Sequence, residues 1–207
     1  MVEQFIPHAF LVLVLAHWLA LLSPGQDFVL LVTQTLRHGH RRSRYAVLGI
    51  AFGNLLYIVL VIAVGAKLRD FPVIFNIIEW AGVVYLAWVG VNLMRAQPVK
   101  VITTSSENHR FNRLQMFLLG LGSALLNPKN ALFYLSLMSS ILGEQATLLQ
   151  QTFVGGWMFV VVLVWAYWLI SCIAQPRFHQ RLQQYLHWIE RVSGVVFMGL
   201  ATLLVAR

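Results

Sequence analysis

The chain has 207 residues, of which 59% are hydrophobic and only 11% charged, and its mean hydropathy is +0.73. Soluble domains carry about 25% charged residues, so this composition excludes an ordinary water-soluble fold and points to an all-α integral membrane protein. The net charge of +8 does not indicate nucleic acid, because the basic residues fall in short clusters between apolar runs, and the lone Cys172 excludes an internal disulfide or a cysteine-built metal cluster.

Six apolar blocks follow one another, at about 5–36, 45–66, 72–94, 113–142, 152–174 and 188–206. Only Glu3 precedes the first as a charge and no small-residue cleavage site follows it, so it reads as a retained span and not a removed signal peptide. Blocks two, three, five and six have spanning lengths. Blocks one and four cover about 30 residues each, some 45 Å of continuous helix against a hydrocarbon core of about 30 Å. Each is interrupted by a proline, Pro24 or Pro128. Both are read as broken helices.

At the first break Ser23 fits a helix N-cap, Pro24 the first helical position, and Gln26 the third position of a capping box. Asp27 then falls in the first turn of the restarting helix, where the positive dipole end favours a carboxylate. In block two, Gly49 and Gly53 form a small-xxx-small pair for close helix approach, with Asn54 beside them. Gly120 with Ala124, and Gly155 and Gly156, read the same way. Block three carries Asn76 and Glu79; Glu79 fits either a central cavity or the outer interface. At the second break Asn127 can cap and Pro128 can open the helix, with Lys129 and Asn130 next. His17 lies seven residues before Pro24 on one helix face, compatible with a proton relay or with a packed bundle histidine. His38 and His40 lack a neighbouring carboxylate or cysteine to complete a metal shell and read as solvated loop.

Eleven basic residues fall in alternate loops, after blocks one, three and five, against three in the loops opposite and at the C-terminus. The positive-inside rule then places both termini outside and the three basic loops in the cytoplasm. The polar stretch 95–110 divides the chain near its middle, and Pro128 lies 104 residues after Pro24. One transmembrane domain, 1–207, is expected: two inverted-topology three-helix repeats, about 1–96 and 111–207, joined by a cytoplasmic linker at about 97–110. Inversion would turn the positive ends of both restarting helices toward the midplane. There, backbone amides and Lys129 suit a carboxylate and Asp27 an ammonium, the two ends of an amino acid. Asp27 and Lys129 can also simply pair with each other. An ionised group inside the membrane costs about 2.5–3.5 kcal/mol on insertion scales, which favours a functional reading.

Together, LLSPGQDF (21–28) and NPKNALFY (127–134) resemble the two signature regions of the lysine-exporter and threonine/homoserine-efflux family of bacterial inner-membrane translocators. That family's pattern is close to S-P-G-P-D/N near the start and N-P-K-A past the middle; here Gln26 replaces the second proline and Asn130 the alanine. The resemblance covers the whole chain and implies amino-acid export driven by the proton gradient. The expected site is Ser23, Pro24, Gly25, Gln26, Asp27, Asn127, Pro128, Lys129 and Asn130, with Asp27 as the proton-coupling group and Glu79 and His17 as further candidates. The expected partners are an amino acid or derivative, protons and membrane lipid, with room for a homo-oligomer. No enzyme activity, cofactor, metal or nucleic acid is expected. The alternative is a metal or small-ion exporter, or a channel, of the same architecture.

Overall fold

The computed structural model describes residues 7, 10–68, 71–95, 111–136 and 146–205; the predicted linker at about 97–110 lies outside them. Among the described residues there are eight helices and no strand: α1 (Phe10–Leu22), α2 (Gln26–His38), α3 (His40–Leu68), α4 (Pro72–Met94), α5 (Arg113–Leu125), α6 (Pro128–Ser136), α7 (Leu148–Ile173) and α8 (Pro176–Val205). Block one is the pair α1 and α2, and the described part of block four is α5 and α6. By length and hydropathy, His40–Val64 and Leu148–Ile173 can each cross a membrane, and α1 with α2 forms a third, bent candidate with 47° between its axes.

Two helices are longer than hydropathy suggested. The basic residues Arg41, Arg42 and Arg44 belong to the first turns of α3, and Arg177, Arg181 and Arg191 to α8, not to loops. Apolar blocks mark only what suits hydrocarbon, whereas Arg, Gln and Lys sustain a helix well beyond it. Two junctions among the described residues are set by single residues. Gly39, at φ 75°, ends α2 by donating its N–H to Thr35 O, and Pro176 opens α8 where its missing N–H costs nothing.

Lipid tails give apolar helices little reason to associate, so close backbone packing must hold such a bundle. Glycine supplies it. A Cβ on Gly49 of α3 would lie 2.0 Å from Phe117 O of α5, and one on Gly120 of α5 would lie 2.2 Å from Ala46 O. Gly90 of α4 and Gly194 of α8 face each other likewise: a Cβ on Gly194 would come 2.6 Å from Gly90 O. These contacts fix α3 on α5 and α4 on α8. Two apolar clusters result, one around Leu13, Leu86, Met158 and Phe197, the other around Leu31, Ile50, Met116 and Ile170. Large apolar side chains such as Leu15, Trp88, Val164 and Leu203 remain exposed on the outside, as on a surface that meets lipid.

Candidate functional site

The first interruption is a bend made by a delayed restart. Ser23 still belongs to the end of α1, since its N–H donates to Leu19 O at 2.9 Å. Helix α2 begins at Gln26 behind an extended Gly25 that offers no side-chain cap, and its first intrahelical bond runs from Val29 N–H to Gly25 O at 3.0 Å. The expected Ser23–Gln26 capping box is therefore absent. With α1 running on through Ser23, the serine hydroxyl turns inward and is buried without a partner, while Gln26 is exposed and lines an outer groove with Val29 and Leu118. Among the described residues, the amides of Gln26, Asp27 and Phe28 have no hydrogen-bond partner. That open end is the arrangement that attracts an anion.

The second interruption is closed. Asn127 Oδ1 accepts from Lys129 N–H at 3.0 Å, and Asn127 O accepts from Asn130 N–H at 3.0 Å. The first amides of α6 are thus satisfied by the residue that precedes Pro128.

The two interruptions touch. Lys129 Nζ crosses to the end of α1 and donates to Ala20 O at 2.9 Å and Ser23 O at 2.8 Å. An ammonium there satisfies carbonyls that no helical amide reaches and complements the negative dipole end. Its side chain lies over Gly25, where a Cβ would sit 3.4 Å from Lys129 Cδ. Asp27, partly buried, accepts from Ser123 Oγ of α5 and from Asn130 Nδ2 of α6, both at 2.6 Å. Asp27 and Lys129 form no ion pair with each other; each is held by neutral groups. Two of the three ammonium donors are used on α1.

Asp27, Lys129, Ser23, Gly25, Asn127 and Asn130 line one cavity of about 60 Å³, walled by apolar side chains from both clusters, among them Phe28, Ile50, Phe133 and Leu169. One water needs roughly 10–15 Å³ of such space, so a small solute fits. His17 also faces it, 1% exposed among Phe133, Tyr134 and Trp157, with neither ring nitrogen hydrogen-bonded. Pro24 interrupts the chain without being among the lining residues, and the side chains of Pro128 and Glu79 lie outside the described ones. Sequence reading missed Ser123 and Tyr134 and took Asn54 for packing only, although Tyr134 and Asn54 line the cavity. A serine one turn before the break, in an otherwise apolar helix, was the available signal for the Asp27 partner.

Apolar helices locked by glycine around a small polar cavity, with a carboxylate and an ammonium at two helix interruptions, define a membrane transport protein. A profile of the LysE type translocator family matches residues 18–207, and the chain belongs to that family. It is 25% identical over 199 residues to a threonine efflux protein of Escherichia coli strain K12, covering 92% of this chain and 94% of that one. It is 30% identical over 142 residues, 68% of each chain, to a homoserine/homoserine lactone efflux protein of Salmonella typhi, and 27% identical over 199 residues, 95% and 96% of the chains, to an uncharacterized membrane protein of Vibrio cholerae. No solved structure matches it.

Proposed function

We propose that this protein exports an amino acid or amino-acid derivative from the cytoplasm across a bacterial inner membrane, in exchange for protons. One observation carries the reading: Asp27 and Phe28, whose backbone amides have no hydrogen-bond partner among the described residues, both line the cavity, so a carboxylate and an open helix start lie side by side. A zwitterion matches that pair, with its ammonium on Asp27 and its carboxylate on the amides. Relatives named as threonine and homoserine efflux proteins support an amino acid over a metal ion.

Asp27 is the coupling group. It takes a proton when the substrate ammonium leaves, and once that proton is released Ser123 and Asn130 hold its anionic form for the next substrate. Lys129 braces α1 and keeps one donor for the substrate. His17, buried and unpartnered, is positioned to relay the proton or to contact the substrate. The whole chain works as six spans in two inverted three-helix repeats, with both termini periplasmic and α1–α2 and α5–α6 as the broken spans. Gly90 and Gly194 support the repeat, because they stand 104 residues apart, as Pro24 and Pro128 do, and touch across α4 and α8. Equivalent residues meet in this way beside a two-fold axis. Alternating access then opens the cavity to one face and then the other.

The test is resistance. Expressed in an exporter-deficient bacterium, the protein should raise tolerance to toxic concentrations of particular amino acids or analogues, and a proton uncoupler should abolish the effect. A broad panel with no response would remove the proposal.

A further inference from the structure

Where α3 meets α5, one end of the bundle carries a second cavity of a different kind, about 710 Å³ in volume. Arg41, Arg42 and Arg44 from α3 and Arg113 from α5 line it, and no carboxylate is among its described lining residues. Topology signals need only scattered basic residues; four guanidiniums around one concavity repel each other until an anion arrives. The site is also shaped. Tyr45 lies between two of the cations, with Arg44 at 5.1 Å and Arg113 at 5.8 Å from its ring, and Arg44 Nη2 donates to its hydroxyl at 3.1 Å. Such contacts orient guanidinium groups without neutralising them. The helices beneath cannot drift, because Gly49 and Gly120 lock this crossing.

The surface below the arginines is apolar. Leu48 and Phe52 follow Arg44 at successive helical turns and are exposed, and Phe117 follows Arg113 one turn on, with the Phe52 and Phe117 rings 6.0 Å apart. A cationic end above an apolar stripe is the complement of one anionic lipid molecule. Guanidinium forks fit phosphate oxygens in pairs, and basic pockets between membrane helices take anionic head groups.

We propose that the α3–α5 groove binds one anionic phospholipid, its phosphate on Arg41, Arg44 and Arg113 and an acyl chain along Leu48, Phe52 and Phe117. The occupant braces α3, whose other side contributes Ile50 and Asn54 to the central cavity, and its binding does not depend on what that cavity carries.

Native mass spectrometry of the purified full-length protein tests this, with phosphatidylglycerol and phosphatidylcholine of matched chains titrated into detergent. Wild type should retain phosphatidylglycerol preferentially. Arg44→Gln and Arg113→Gln should each weaken it roughly fivefold, the loss expected for one basic residue at an anionic lipid surface. Arg95→Gln, outside the groove, should leave it unchanged, and Phe52→Ser should weaken it with every charge intact. Arg44→Lys, which preserves the charge, serves if a glutamine variant does not fold, and should bind better than Phe52→Ser. Equal retention of both lipids by wild type, arginine variants that bind as wild type does, or displacement by millimolar inorganic phosphate would overturn the proposal; the last would mark a soluble-anion pocket.

Discussion

The segments 23–27 and 127–131 occupy corresponding places 104 residues apart, and they finish their helices in opposite ways. Asn127 caps the helix that follows it, whereas Ser23 caps nothing and leaves three amides of α2 open. Lys129 reaches over Gly25, its counterpart, to hold the end of α1, and Asn130, the counterpart of Gln26, reaches Asp27. The closed interruption therefore supplies the groups that shape the open one. One proline break thus acts as a brace and the other as a site, because four of their five side chains differ.

That division of labour can be broken in four places. Asp27→Asn removes the charge and turns one of the two accepting oxygens into an amide donor, set against either Ser123 Oγ or Asn130 Nδ2. Charged hydrogen bonds are worth about 1.5–3 kcal/mol, so transport into inverted vesicles, which reports export, should drop about 10–100-fold and lose its dependence on pH. Unchanged flux would mean that the open break is not the coupling site. Lys129→Met leaves the carbonyls of Ala20 and Ser23 without their charged donor and should destabilise the protein by about 1.5–3 kcal/mol, read from unfolding titrations in detergent. If only substrate affinity changed, Lys129 would be a ligand and not a brace. Asn127→Ala removes a true cap and should cost about 1 kcal/mol in the same titration. Ser23→Ala should stay within about 0.5 kcal/mol of wild type, since its hydroxyl has no partner to lose. A larger loss there would restore the capping role that its sequence position suggests.

Sequence reading went furthest where a property is local or summed over many residues. Hydropathy marked the chain as a helical membrane protein, and two short motifs resembled the family to which it belongs. Asn127 could be read as a cap because proline directly after it leaves the helix one place to start. Ser23 misled by the same logic: Leu19 O lies four residues back and could take its N–H, so α1 ran on and the restart moved to Gln26. Local rules rank the candidate ends of a helix but do not choose between adjacent ones when a neighbouring carbonyl competes. Helix lengths failed similarly at α3 and α8, where hydropathy fades before the backbone stops being helical.

By itself, then, the sequence determined the solvent this chain is built for, the two places where proline interrupts its apolar blocks, and the charges put beside them. Tertiary structure alone decided their partners. Asp27 meets Ser123 and Asn130 across 96 and 103 residues, and Lys129 meets α1 across more than a hundred. Such pairs form only after glycine-lined helices have closed on each other, and the pattern of side chains along one segment carries no record of which distant segment will face it.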